Sequence, residues 1–433
     1  MENRENRGGN FAAIVTMFAL FFMIAFVTNF ASPMGVIAKN QFNASNALSQ
    51  LGNFANFFAY LFMGIPGGLI LKRRGYKFTA LTAVAVGFTG LAVQLVSGYV
   101  SSFAVYVVGA FIAGFSMCLL NLVVNPLLNT LGGEGKTGNQ LVQFGCTLNS
   151  VGAFLSPMIL GLLIGEITKD TAFGDARPAL LIAMGIFAVA FLIVAFSRIP
   201  EPHMETAEEK AARLSGQTSV VKDVVATLKF RHFTLGALAI FFYIVIEVGV
   251  PSMGMLYMTD CVKNAAGEIV SRGPGYVGGA VAGSVCAAYW FCMMIGRLLG
   301  GIVGGRFSSR TQVSFLAAVG IALLFAAMSV PVRMITLFGC SFPLSMAFMV
   351  AVGLCTSVMW GGIFNMAAEG LGKYVPMGSG IFMACVFGGV LIPVQGFLAD
   401  RVGILSSYWL SIGLLAYILV YAFVLSKPAR KEH

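Results

Sequence analysis

In the apolar run FFYIVIEVGVPSMGMLYM, residues 241–258, a single carboxylate stands among hydrocarbon side chains, that of Glu247. A charge at such depth costs roughly 2.5–3.5 kcal/mol on insertion scales, so a chain that keeps one uses it. Desolvation favours the neutral acid unless a cation or a guanidinium sits beside it. That chemistry suits a group that takes up and releases a proton or Na+ together with a ligand. Tyr243, four residues earlier, shares the same helix face, and its hydroxyl can reach both the acid and a ligand. A protonated glutamate that merely joins two helices is the plainer alternative. The other acids offer no rival. Of seventeen, fourteen fall in tails, loops or edges. Asp260 lies thirteen residues further on, roughly 20 Å along a helix, and Glu369 sits at the inner end of the tenth apolar run.

The remaining polarity inside apolar segments is mostly amide. Asn121 and Asn125 are one turn apart, and Asn29, Gln143, Asn149, Asn365 and Gln395 are also deep or nearly so. Amides both donate and accept, so they suit an uncharged, polyhydroxylated ligand whose hydroxyls pair either way. An anionic ligand calls for basic residues, yet the apolar segments hold only Arg297, which falls near a cytoplasmic end. Trp360 offers a broad face to the apolar side of a sugar ring. Each amide serves equally well in an interhelical hydrogen bond, and a tryptophan can simply pack.

These groups must be held by membrane helices. The chain has 433 residues, 58% of them hydrophobic and 10% charged, whereas soluble domains are roughly a quarter charged. Apolar runs of about 20 residues, the length that crosses a bilayer, recur near 11–36, 47–71, 78–98, 103–130, 139–164, 178–197, 233–259, 276–304, 313–331, 335–367, 376–398 and 404–425. With both termini cytoplasmic, nineteen Lys and Arg lie inside and seven outside, the bias expected of an inner-membrane protein. The net charge of +10 therefore reads as topology, and nucleic acid is not an expected partner. The polar start MENRENRGGN leads into a run too long for a signal core. The eight cysteines show no metal or redox spacing and read as packing residues.

The cytoplasmic segment 201–232 divides the runs six and six and reads as one surface helix between bundles. The halves carry related spacings. Asn125, Leu131-Gly132, Gly152, Pro157 and Gly161 match Asn365, Leu371-Gly372, Gly388, Pro393 and Gly396, and GIPGGLILKRRGYK (64–77) matches IGRLLGGIVGGRFSSR (295–310). A duplicated six-helix unit follows. We expect domains at 1–197 and 233–433, joined by a linker over 198–232. His203, His232 and His433 lie in loops, at an interface or in the tail, and there is no nucleophile–base pair, so an enzyme is not expected. The lack of a phosphate-binding Gly-Lys-Ser/Thr loop argues against ATP drive.

GGLILKRRGYK, LFFMIAFVTNF, LNLVVNPLLNTLG, FFYIVIEVGVPS, WGGIFNMAAEGLGKY and GSGIFMACVFGGVLIPVQGFLADRVG resemble the major facilitator superfamily, within it the fucose, glucose and galactose permease branch. The resemblance spans both halves. It implies an all-α membrane protein of twelve transmembrane helices in two pseudo-symmetric bundles, importing a neutral sugar by cation-coupled symport. No cofactor is expected beyond a proton or Na+, and a monomer is expected. The superfamily's basic loop usually carries an acid that latches one half to the other; here Leu71 and Lys72 fill that region. The fucose permease pattern also places coupling acids in the first and fourth helices, where this chain has Ser32 and Asn121. The pattern implies that any coupling has moved to Glu247, and that a facilitative uniporter or a carrier of a modified sugar or cell-wall fragment are the alternatives. A sugar sensor without transport is the reading from a different class.

Overall fold

The computed structural model describes residues 11–25, 51–133, 135–164, 173–215, 219–263, 269–337 and 339–428. Asn29 and Ser32 lie outside the described residues. The long helices are α1 (Phe11–Ala25), α2 (Leu51–Tyr99), α3 (Phe103–Leu131), α4 (Gly135–Ile164) and α5 (Phe173–Phe196). Two short helices, α6 (Ala207–Leu214) and α7 (Val220–Leu228), precede α8 (Arg231–Thr259), α9 (Gly279–Gly304) and α10 (Ser309–Ser329). The last third holds α11 (Leu344–Thr356), α12 (Met359–Ala368), α13 (Val375–Ala384), α14 (Ile392–Val402) and α15 (Tyr408–Val420). Among the described residues, nine helices are long and apolar enough to cross a membrane. One of them, α2, is two expected runs joined, because Gly75 at φ 83° breaks the helix where a tight turn is needed. The order and lengths are consistent with twelve crossings.

The structure differs from expectation in three places. The tenth run begins as a β-hairpin, not a helix: β3 (Met334–Leu337) pairs antiparallel with β4 (Cys340–Pro343), following β1 (Cys261–Lys263) and β2 (Ile269–Arg272) earlier in the chain. Its turn holds Gly339 at φ 78°, which glycine adopts without steric cost, and Pro343 stands extended at the position just before α11. The tenth and eleventh runs are each broken, the tenth at Ser357–Val358 and the eleventh by a 3₁₀ segment over Cys385–Leu391. The linker forms two helices where one was expected. Ser219 caps α7 by accepting from the Lys222 N–H at 3.3 Å, the usual N-terminal device for orphan donors.

The chain divides into two compact units. The first gathers Met1–Thr234, Ala368–Phe387 and Pro428–His433; the second gathers Leu235–Ala367 and Gly388–Lys427. In the first, α2 packs against α3, α5 and α13. The α2–α13 approach is backbone to backbone: a Cβ on Gly64 would lie 2.5 Å from the Gly380 carbonyl oxygen. In the second, α11 packs against α9 and α10, and α10 against α15.

The linker is fastened to the basic loop of the first unit. Lys72 donates to Asp223 at 2.8 Å, and the Glu201 carboxylate accepts from the Tyr76 and Lys77 N–H groups. His203 Nδ1 shares a 2.7 Å hydrogen bond with the Tyr76 hydroxyl. Burial raises the Glu201 pKa, while the two N–H donors and Lys77 oppose the rise; burial lowers that of His203. The loop lacks its own acid, and Asp223 of the linker meets Lys72 instead.

Candidate functional site

In the second unit the carboxylate of Glu247 is not alone. Arg297 Nη2 donates to Glu247 Oε1 at 3.0 Å, with both side chains little exposed, at 11% and 13%. The expectation that Arg297 belongs to a helix end misses this pair. Cys286 Sγ meets the Pro251 carbonyl, and the Tyr289 hydroxyl meets the Glu247 carbonyl. Numbers therefore rise along α9 as they fall along α8, so the two helices run antiparallel with Tyr289 level with Glu247. Arg297 stands eight residues further along, about 12 Å of helix. Side chains on a helix tilt toward its N-terminus; on antiparallel helices Arg297 and Glu247 therefore lean toward each other and close that gap.

Pro251 contributes a second feature. Lacking an N–H, it cannot bond the carbonyl four residues back, which is that of Glu247. Tyr289 Oη donates to this carbonyl at 3.3 Å and pairs with Thr356 Oγ1 at 3.1 Å. Thr356 is the last residue of α11, immediately before the break that starts α12. Trp360 stands on α12, its ring 6.3 Å from that of Tyr243. Tyr243 is wholly buried; its hydroxyl stands beside the Glu247 carboxylate without reaching hydrogen-bond geometry. Tyr243, Glu247 and Trp360, three of the residues singled out from sequence, thus come together, joined by Arg297, Tyr289 and Thr356.

The amides divide differently. Asn121, Asn125 and Gln143 are buried in the first unit on α3 and α4. Asn121 Nδ2 donates to the Tyr60 hydroxyl at 3.2 Å, and Asn125 Nδ2 donates to Asn121 Oδ1 at 3.2 Å. Asn129 and Asn139 extend this polar face one turn further and are also buried, with Asn129 Oδ1 and both polar atoms of Asn139 unpartnered among the described residues. Asn149 Nδ2 is given to the Phe21 carbonyl of α1 at 3.0 Å, and Asn365 Nδ2 to Ser309 Oγ at 2.8 Å. Those two amides are spent on helix contacts. Glu369 offers its carbonyl to His232 at 2.8 Å, and Asp260 sits at the turn before β1, where its carbonyl accepts from Gly273 at 2.9 Å. Sequence reasoning missed Tyr289, although 289, 293 and 297 recur every four residues and so share a helix face. It missed Thr356 because nothing local marks that hydroxyl.

A buried ion pair in the second unit and buried amides in the first, each on helices long and apolar enough to cross a membrane, are features that suit a transporter. The Major Facilitator Superfamily model matches residues 16–264, more than half of the chain, and the chain belongs to that superfamily, a family of transporters and not of enzymes. It is 27% identical over 418 residues to a glucose/galactose transporter of Brucella abortus, covering 96% of this chain and 94% of that one. It is 23% identical over 428 residues to the L-fucose-proton symporter of Escherichia coli, covering 94% of this chain and 90% of that one. Among solved structures, the Escherichia coli fucose:proton symporter aligns with a TM-score of 0.79 at 19% identity, over 96% of this chain and 100% of that one. A proton:xylose symporter aligns with a TM-score of 0.73 at 12% identity.

Proposed function

We propose that this protein imports a neutral sugar across a bacterial inner membrane by cation-coupled symport with alternating access, with Glu247 as the coupling group. The Glu247–Arg297 pair carries the reading: a carboxylate held at 3.0 Å from a guanidinium inside apolar helices is costly, and such groups are kept at membrane depth for substrate, ion or proton handling. The relatives named for glucose, galactose and L-fucose support a hexose or deoxyhexose, and amino sugars share that hydroxyl chemistry. Asn121, Asn125 and Gln143 would meet sugar hydroxyls, and Trp360 would cover a ring face. The proposal includes both termini in the cytoplasm, six-helix bundles over 1–197 and 233–433 joined by 198–232, and a monomer.

Proton and Na+ meet the same guanidinium: either places one positive charge about 4 Å from it, at a cost on the order of 4 kcal/mol at the screening usual for such sites. Counterflow in proteoliposomes with a panel of hexoses, deoxyhexoses and amino sugars tests the substrate class, and separate pH and Na+ gradients test the ion. Glu247→Gln is expected to lose uphill accumulation while sugar exchange persists. Accumulation by that variant would remove Glu247 from the mechanism, and exchange without accumulation by the unaltered protein would make it a uniporter.

A further inference from the structure

Trp360 and Glu247 lie on different helices, and two routes join them. One is direct, through Tyr243, whose ring is 6.3 Å from Trp360. The other runs through hydrogen bonds: the Glu247 carbonyl, left without its helical donor by Pro251, accepts from Tyr289 at 3.3 Å, and Tyr289 pairs at 3.1 Å with Thr356. Thr356 also reaches the Val352 carbonyl at 3.2 Å and the Gly353 carbonyl at 3.3 Å within its own helix. It sits where α11 ends, three residues before Met359, with which α12 resumes ahead of Trp360. Gly353 admits the backbone of α9 closely: the nearest other atoms to a Cβ built there include the Tyr289 side chain at 3.2 Å. Tyr289 is wholly buried, so neither of its hydrogen bonds is exchanged for water without moving a helix.

We propose that Tyr289 and Thr356 are positioning residues that transmit the charge state of Glu247 to the break between α11 and α12, and so set the orientation of Trp360. The inference rests on Glu247 being the group whose charge changes. With Glu247 charged and held by Arg297, α8 is anchored around Pro251 and the freed carbonyl faces Tyr289. Neutralising Glu247 weakens its bond to Arg297 and loosens that anchor, so the Tyr289 bond to the carbonyl weakens relative to its bond to Thr356. The hydroxyl pair is then the physical difference between the two states, which a population shift requires. The break is the element that moves, since helix interruptions at membrane depth are tolerated only where neighbouring groups satisfy the backbone.

The charged and titratable groups around this knot are Arg297 and Tyr243 beside Glu247, and Tyr408, Cys286 and Cys355 near Tyr289. Tyrosines and thiols ordinarily titrate near 10 and 8.5, outside a window of pH 5 to 8. The test uses the full-length protein in lipid nanodiscs with Trp290→Phe and Trp409→Phe, which leaves Trp360 as the only tryptophan. Its emission is followed between pH 5 and 8 without sugar, so the result stands apart from whether sugar is transported. Expected is a titration in this background, its loss in Glu247→Gln, and at least a threefold smaller amplitude in Tyr289→Phe and in Thr356→Val. Thr356→Ser, which keeps the hydroxyl, should restore the amplitude. Full amplitude in Tyr289→Phe overturns the proposal, as does an absent titration in the background, or loss in Tyr243→Phe alone, which would assign the direct route. If Tyr289→Phe fails to fold, the Thr356→Val and Thr356→Ser pair decides.

Discussion

Replacing Glu247 by Leu and Arg297 by Met, singly and together, tests whether the pair is energetically coupled. Both side chains are nearly sealed, at 13% and 11% exposure, and meet at 3.0 Å, so solvent screens them little. Removing one partner strands a buried charge at about 3–5 kcal/mol, whereas replacing both by apolar groups of similar size is about neutral or stabilising. For a cooperative unit of roughly 200 residues, about 2–4 °C of melting temperature accompanies each kcal/mol. Each single variant should therefore melt about 6–20 °C lower, and the double variant within about 4 °C of the unaltered protein. Thermal melting in lipid nanodiscs, read by light scattering, gives all four values, and the cycle isolates the pairwise coupling. If the losses of the single variants add in the double variant, the two charges do not rely on each other and the site reading fails.

Three further outcomes follow from the first unit. A Cβ on Gly64 would lie 2.5 Å from the Gly380 carbonyl oxygen and 2.7 Å from the Ala384 nitrogen. Gly64→Ala should then cost about 1–3 kcal/mol, and an unshifted melting temperature would show that α2 and α13 do not meet there. Lys72→Ala removes the 2.8 Å bond to Asp223, a charged hydrogen bond of about 1.5–3 kcal/mol; amide exchange over Val220–Leu228 should quicken about tenfold or more, and Lys72→Arg should restore most of the protection. Burial holds His203 below its ordinary value of 6.5, so the neutral ring belongs to the folded linker. Its stabilising contribution is present above that value and is lost as pH falls through the lowered one. Exchange around Tyr76 and residues 201–206, corrected for intrinsic rates, should therefore be slower at pH 7.5 than at pH 5.5. His203→Gln should remove the difference; a difference of the same sign that persists places the switch elsewhere, because Glu201, whose pKa burial raises, would act in the opposite direction.

Much of the molecule is legible in local patterns. Hydropathy runs of helix length mark the membrane segments because every backbone group in lipid must be satisfied within its own helix. Glu247 stands out because an acid in such a run is rare, and its pairing with Tyr243 on one face is a matter of four-residue spacing. Where local sequence changes its period, as around Gly339 in the hairpin that replaces the start of the tenth run, the signal is present but weaker than the hydropathy that masks it.

What the tertiary structure alone decides is which distant groups meet. Arg297 lies fifty residues from Glu247, and only the antiparallel run of α8 and α9, with both side chains leaning toward their own N-termini, closes the pair. Pro251 announces a freed carbonyl in the sequence, yet that Tyr289 takes it and hands on to Thr356 depends on helix rotation. The amides of Asn365 and Asn149 look the same in sequence as those of Asn121 and Asn125, but their partners, Ser309 and the Phe21 carbonyl, are set by packing. Composition and periodicity are properties of neighbours along the chain, whereas a binding or coupling site is a property of neighbours in space.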